Sequence, residues 1–289
     1  MAKGSNASPE MFGFDFQVNA AIFLLLDNIK EVKSVRVEGA SEDIELTLNN
    51  GNQIMAQAKS TVKGSSDFSH SKSKLTEAIR TLSSADNESV QQLILITNSA
   101  NPLNEESSRQ FFYGPPAEIG YNDLSDAAKK VIDDIVEKLA VNLDKNKFHI
   151  YFFMFETDNR KTRYMVIEEK IRDFINQLKL GQVLSVTELM HVWQNDLFQN
   201  GSQTNTTIKL NKKEFVWPVI VLTLEKKQPL EYLDEYDQGL ISEVFSQYSY
   251  LINTVTEQYE LITKILYDYK SSYPKLSMKE RTHTFISVM

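Results

Sequence analysis

The stretch Val37–Ser60, VEGASEDIELTLNNGNQIMAQAKS, decides the fold of this chain. At its centre, Asn49–Asn52 contains an Asn-Gly pair, which supplies the positive φ angles that a tight turn between two strands requires. The residues on either side alternate between apolar and polar side chains, which is the pattern of a half-buried strand. The stretch therefore predicts two adjacent strands joined as a hairpin.

The alternation separates an apolar face of this hairpin from a polar one. Successive side chains of a strand point to opposite faces, so the predicted apolar face consists of Ile44, Leu46, Leu48, Ile54, Ala56 and Ala58. Asp43 lies on the polar face of the first strand, and Gln57 and Lys59 share a face of the second. A register that brings Asp43 opposite Gln57 and Lys59 would gather a carboxylate, an amide oxygen and an ammonium group.

This set of groups suits metal-assisted hydrolysis of a phosphodiester. Mg²⁺ and Mn²⁺ prefer oxygen ligands, which predicts Asp43 and Gln57 as the metal-binding side chains. The ammonium group of Lys59 can orient a water molecule and offset negative charge in the transition state.

The order of these residues also resembles a known motif. Asp43 followed by Gln57-Ala58-Lys59 resembles the PD-(D/E)XK nuclease motif in its variant with glutamine at the third position. The segment Gly13–Gln17, GFDFQ, resembles the first-helix signature of Mrr-like restriction endonucleases, in which a Glu or Gln reaches towards the active site. The nearest resemblance is to the double-stranded-DNA endonuclease domain of CD-NTase-associated anti-phage effectors. Related domains are nuclease subunits of other bacterial defence complexes, including the Lamassu type.

The resemblance implies catalytic roles for Asp43, Gln57, Lys59 and Gln17, and several alternatives stay open. Gln17 is either part of the site or a polar side chain that forms a hydrogen bond within the core. Glu38 is either a second carboxylate near the metal or a surface acid. Many relatives carry an acid where this chain has Gln57, so the number of bound metal ions is open.

The charge of the chain favours weak binding to DNA. The sequence holds 31 Lys and Arg against 39 Asp and Glu, a net charge of −8, whereas duplex binding draws most of its affinity from neutralised phosphates. One segment directly after the predicted active-site strand is basic, and its predicted DNA contacts are Lys63, Lys72, Lys74 and Arg80. The alternative is a solvated loop and helix face. We expect partners or multiple copies to supply the remaining affinity.

The composition excludes several other classes. The 289 residues include no cysteine, which excludes disulfides and thiolate zinc sites and suits a reducing cytoplasm. The polar segment 1–9 does not resemble a secretory leader, and the apolar run Ala20–Leu26 is too short to cross a bilayer. A cytoplasmic protein without a membrane partner is expected. The sequence contains no Gly-x-Ser-x-Gly elbow, Walker loop or dinucleotide fingerprint.

We predict an α/β fold with two parts. Residues 10–160 would form a nuclease domain with a restriction-endonuclease-like core, a central mixed sheet flanked by helices. Residues 161–289 would form a mainly helical region for partner binding or oligomerisation, with a short hairpin made of residues 208–210 and 215–224. A long helix over residues 238–269 has a broad apolar and aromatic face, which leaves room for a subunit interface.

Three functions are consistent with this sequence. The first is a metal-dependent endonuclease for double-stranded DNA, the effector subunit of an anti-phage defence complex, held in check until a partner or self-association into a homo-oligomer activates it. The resemblance implies an SMC-like or other ATPase, or a nucleotide sensor, as the partner. The second is a catalytically inactive nuclease-like scaffold or DNA clamp. The third is a regulatory protein of unrelated α/β fold, in which Asp43 and Lys59 are ordinary surface charges.

Overall fold

The computed structural model describes residues 8–112, 114–156, 160–178, 180–181 and 183–227. Its α-helices are α1 Ser8–Asp27, α2 Ser71–Ala85, α3 Asp126–Leu139, α4 Arg160–Arg163, α5 Met165–Gln177, α6 Val186–Gly201 and α7 Lys212–Lys227. Its strands are β1 Val32–Val37, β2 Ile44–Leu48, β3 Gln53–Lys59, β4 Val90–Thr97, β5 Ala117–Gly120, β6 Phe148–Phe152 and β7 Leu210–Asn211. Short 3₁₀ turns cover Arg109–Phe112 and Tyr121–Asp123.

The seven strands form one mixed sheet in the order β5-β6-β4-β3-β2-β1-β7. Strands β1, β2 and β3 pair antiparallel, whereas β3, β4 and β6 pair parallel, and β5 and β7 are antiparallel edge strands. The predicted α/β class with a mixed sheet and flanking helices is therefore confirmed. The short edge strand β5 was not predicted from the sequence.

The predicted hairpin has the expected turn and register. Gly51 has a φ of 88°, the left-handed conformation that favours glycine, and its amide donates to the Leu48 carbonyl at 3.0 Å. Ile44 pairs with Ala56 across the two strands. The residue before Ile44 therefore lies opposite the residue after Ala56, so Asp43 faces Gln57. This is the register that gathers the polar groups of the hairpin.

Helices cover both faces of the sheet, and each face has its own hydrophobic cluster. On one face, the apolar side chains of β2 and β3 pack with α1, α5, α6 and α7. On the other face, Met55 of β3 packs with Leu93 and Leu95 of β4 and with α2 and α3. Strand β4 contributes to both clusters, which explains its nearly continuous apolar sequence. Gln57 and Lys59 alternate in phase with Met55, so they lie on the α2 face.

The hairpin predicted at residues 208–210 and 215–224 is wrong. Residues 215–224 belong to helix α7, and the two-residue strand β7 pairs with β1 instead. The Phe215 ring stacks on Trp193 at a centroid distance of 4.1 Å, and the Trp193 indole donates to the Phe215 carbonyl at 2.7 Å. A short apolar run is compatible with either a buried strand or a buried helix, and packing on α6 determines the outcome here.

A buried arginine attaches the α6–β7 connection to the sheet. The Arg36 guanidinium of β1 donates to the carbonyls of Asn200, Gln203 and Ile208. Side chains on both sides of the predicted division at residue 160 share one hydrophobic cluster. The division into domains stays a prediction, and the helix predicted over 238–269 lies outside the described residues. Among the described helices, none combines the length and apolar character needed to cross a bilayer.

Candidate functional site

The turn between β1 and β2 is held by a buried glutamate. The Glu45 carboxylate accepts a hydrogen bond from the Ser41 amide at 2.9 Å, and the Gly39 amide donates to the Glu42 carbonyl at 2.9 Å. A Cβ atom at Gly39 would lie 2.3 Å from the Glu45 carboxyl group, so a side chain at residue 39 would displace the Glu45 carboxylate. Glu45 therefore supports the turn that carries Glu42 and Asp43, and it is not solvent-exposed.

Asp43 lies at the centre of the site. Its carboxylate accepts a hydrogen bond from the Ala58 amide at 2.9 Å and another from the Gln57 side-chain amide. The Gln57 oxygen accepts a hydrogen bond from Thr81 of α2 at 2.7 Å. Burial raises the pKa of Asp43, and the Ala58 hydrogen bond, the charge of Lys59 and the Gln57 hydrogen bond lower it.

Two further carboxylates lie close to Asp43. Glu38 is exposed at the end of β1, and partial loss of solvent and the Asp43 charge still raise its pKa, whereas a hydrogen bond from Gln17 of α1 lowers it. Gln17 also lowers the pKa of Asp43 through a hydrogen bond. Burial, followed by the Asp43 charge, raises the pKa of Glu42 to about 8. The three acids thus share one site with Gln17.

Lys59 supplies the positive charge of this site. Its ammonium group lies 3.6 Å from the Glu77 carboxylate of α2, and its charge lowers the pKa of Glu38, Glu42 and Asp43. Five residues predicted from the sequence are therefore together in the structure: Gln17, Glu38, Asp43, Gln57 and Lys59.

Sequence reasoning missed two residues of the site. Strict alternation would place Glu42 on the apolar side of the hairpin, and only the turn before β2 brings it next to Asp43. Thr81 is one of several polar side chains of α2, and no motif distinguishes it. The Thr81 hydroxyl also lies near enough to lower the pKa of Glu42, but it donates its hydrogen bond to Gln57.

The predicted DNA-contacting side chains differ in their exposure. Lys63, Lys72 and Arg80 are exposed. Lys74 is half-buried, and its ammonium group donates to the Ser60 carbonyl and to the Thr61 hydroxyl, the latter at 2.8 Å. Lys74 therefore fixes the segment that follows Lys59.

Oxygen groups at this site suit a hard cation. The described residues contain no group of three or more His, Asp or Glu side chains arranged to hold a metal ion. Glu42 is 4% exposed, and neither of its carboxylate oxygens has a hydrogen-bond partner among the described residues. Mg²⁺ commonly uses only one or two protein carboxylates and completes its coordination with water. The pair Glu42 and Asp43 fits that requirement.

Comparisons with known proteins give distant structural likenesses only. No protein-family model matches the sequence, and no curated protein matches it. An Acinetobacter baumannii Cap4 SAVED/CARF-domain containing receptor, solved with the cyclic trinucleotide 3'3'3'-cAAA, is 16% identical with a TM-score of 0.43, over 75% of this chain and 49% of that one. A Moraxella osloensis Cap4 SAVED/CARF-domain containing receptor is 15% identical with a TM-score of 0.40, over 77% and 50%. The chain thus spans about half the length of these receptors.

Proposed function

We propose that this chain is a metal-dependent endonuclease that hydrolyses double-stranded DNA through a restriction-endonuclease-like core. The observation that carries the proposal is the convergence of Asp43, Gln57 and Lys59 on one side of the β2–β3 hairpin, with Gln17 reaching the same site from α1. The order of helix, strand, hairpin, helix and strand along the first 97 residues supports such a core.

The residues of the site have distinct roles under this proposal. Asp43 would hold Mg²⁺ or Mn²⁺ together with Gln57, and the cation would supply Lewis-acid stabilisation of negative charge and a more acidic water. Lys59 offsets charge on the phosphate and orients the attacking water. Gln17 keeps the carboxylates in place through its hydrogen bonds.

The amide of Gln57 restricts its role as a ligand. In the structure its nitrogen is directed at Asp43 and its oxygen at Thr81. The two ends of an amide are assigned from their hydrogen bonds, and the present pattern leaves no oxygen facing Asp43. As a ligand, Gln57 would need the opposite amide orientation, with its oxygen on the side of Asp43 and its nitrogen on the side of Thr81.

We place this nuclease in an anti-phage defence complex on the motif resemblance. The partner would be an ATPase, such as an SMC-like protein, or a nucleotide sensor, and self-association would increase cleavage. The net charge of −8 supports a low DNA affinity for a single copy, because acidic surface repels the phosphate backbone.

A plasmid-cleavage assay tests the nuclease proposal. With protein in excess over supercoiled plasmid, we expect cleavage in Mg²⁺ or Mn²⁺ and none in EDTA. Asp43→Asn and Lys59→Met should each reduce the rate by about 100-fold or more, the range found when one charge-stabilising group is removed. The matched controls Asp134→Asn and Lys138→Met, both exposed on α3, should cleave at the wild-type rate. Wild-type cleavage by Lys59→Met protein would contradict the proposal.

A catalytically inactive scaffold or DNA clamp is the second candidate. The observation that favours it is the contact between the Gln57 nitrogen and Asp43, which occupies a carboxylate oxygen that a cation would need. This alternative predicts that the wild-type protein retains plasmid binding and shows no cleavage with either cation. The same assay, with a gel-shift measurement beside it, separates the two functions.

A further inference from the structure

We infer that Glu42 is a second carboxylate ligand of the divalent cation at Asp43, so that the cation is held by two adjacent acids of the β1–β2 turn. This inference rests on the proposed cation site and names a ligand that the nuclease motif does not include. The cation would be a hard divalent ion, Mg²⁺ or Mn²⁺, with water completing its coordination.

The burial of Glu42 is the first observation behind the inference. Its side chain is 4% exposed, and both carboxylate oxygens are buried without a hydrogen-bond partner among the described residues. A buried carboxylate in a folded protein is normally paired, hydrogen-bonded or bound to a metal. The nearby groups do not meet this need, because Thr81 donates to Gln57 and the Lys59 ammonium lies beside Glu77.

The shape of the β1–β2 turn is the second observation. The Glu45 carboxylate accepts a hydrogen bond from the Ser41 amide at 2.9 Å, and it lies so close to Gly39 that a side chain at residue 39 would displace it. The turn is thereby fixed in a conformation that buries Glu42 beside Asp43. If Glu42 bound no cation, the folded protein would be more stable with this carboxylate in water than with it buried.

Mn²⁺ binding to the full chain tests the inference without reference to cleavage. Free Mn²⁺ is followed by electron paramagnetic resonance during titration of the wild type and of Glu42→Gln, Glu42→Asp and Asp43→Asn. We expect Glu42→Gln to bind Mn²⁺ at least about 10–100-fold more weakly, since that loss is already typical when a group that only supports a metal ligand is removed. Glu42→Asp, which keeps the carboxylate, should recover part of the affinity, and Asp43→Asn should abolish binding.

The matched control is Asp134→Asn, which removes one negative charge from an exposed position of α3. It should change the Mn²⁺ affinity by less than about threefold, because salt screens the long-range attraction of an exposed charge. Unfolding temperatures in EDTA test whether the variants fold. Glu42→Gln should be at least as stable as the wild type, since it removes a buried carboxyl group that has no hydrogen-bond partner among the described residues.

The possible outcomes separate this inference from the nuclease proposal. Wild-type Mn²⁺ affinity in the Glu42→Gln variant, or no Mn²⁺ binding by the wild type, overturns the inference. If the wild type binds Mn²⁺, Glu42→Gln weakens that binding and no variant cleaves DNA, then the nuclease proposal fails and the Glu42 ligand stands. If Glu42→Gln cleaves and binds Mn²⁺ like the wild type, only the Glu42 inference fails.

Discussion

The Thr81 hydroxyl of α2 lies 2.7 Å from the side-chain oxygen of Gln57 and donates a hydrogen bond to it. This contact connects a helix of one face to the central hairpin and determines which end of the Gln57 amide points towards Asp43. The orientation of the amide therefore depends on a residue 24 positions further along the chain.

Replacing Thr81 by valine tests this contact. Thr81→Val keeps the shape of the side chain and leaves the buried Gln57 oxygen without its donor, so we expect the free energy of unfolding to fall by about 1–2 kcal/mol. Urea denaturation followed by circular dichroism measures the change. The control Thr76→Val, on the same helix, removes only a bond to the Lys72 carbonyl and should cost less. Equal losses would show that Thr81 has no special role.

We expect Gln57→Glu to lower the stability of the cation-free protein and to raise its affinity for Mn²⁺. Without a cation, the new carboxylate faces Asp43 and repels it, so the unfolding temperature in EDTA should fall. With Mn²⁺, a carboxylate is a stronger ligand than an amide, so the stabilisation by Mn²⁺ should exceed that of the wild type. Plasmid cleavage should be retained. Differential scanning fluorimetry with and without Mn²⁺ tests the prediction, and a fully folded variant without cleavage would contradict a ligand role for Gln57.

The stability of the cation-free protein should depend on the protonation of Glu42. The pKa of Glu42 is raised from 4.5 to about 8, so the folded state binds more protons than the unfolded state between these values. The free energy of unfolding should therefore fall as pH rises from about 4.5 to 8, by on the order of 4 kcal/mol. Asp43, Glu45, Lys59 and Thr81 surround this carboxyl group and contribute to its shift.

Urea unfolding in EDTA across this pH range provides the measurement. Glu42→Gln cannot titrate, so its stability should fall less over the same interval. Parallel pH profiles for the wild type and Glu42→Gln would show that other groups cause the decline.

The exposed basic side chains beside the site should contribute to DNA binding. The triple substitution of Lys63, Lys72 and Arg80 by alanine should weaken duplex binding and reduce the slope of log affinity against log salt by about 3, since each phosphate contact contributes about 0.9. Lys74 is left unchanged because its ammonium group holds Ser60 and Thr61. Fluorescence anisotropy over a range of salt concentrations measures both quantities.

A second triple variant controls for net charge. This variant replaces three exposed lysines that lie outside the segment after Lys59, namely Lys33, Lys130 and Lys138. Alanine at all three positions changes the net charge by the same amount as the first triple substitution. Their replacement should leave the salt slope close to that of the wild type. The same slope in both triple variants would mean that the basic segment has no specific contact with DNA.

Much of the site was predictable because its geometry is local. Strand alternation and the Asn-Gly turn fix which side chains of the hairpin share a face, and one register then brings Asp43 to Gln57. The resemblance of GFDFQ to a first-helix signature predicted that Gln17 reaches the site, and Gln17 lies near enough to lower the pKa of Glu38 and of Asp43. The catalytic roles of these residues stay predictions.

The remaining features required the tertiary structure. The apolar run 215–224 suits a strand as well as a helix, and stacking of Phe215 on Trp193 decides in favour of the helix. Burial of Arg36 depends on carbonyl groups more than 160 residues further along the chain. Neither effect can be found in a local pattern, because each depends on groups that only folding brings together.

The sequence by itself determined the hairpin and its polar face, since side-chain alternation and turn chemistry act between near neighbours. It left open the register that pairs Asp43 with Gln57. Only the tertiary structure placed Thr81 on Gln57 and buried Glu42 with no hydrogen-bond partner among the described residues. Burial and hydrogen-bond satisfaction are properties of the packed chain, because the solvent that a side chain loses depends on every element that covers it.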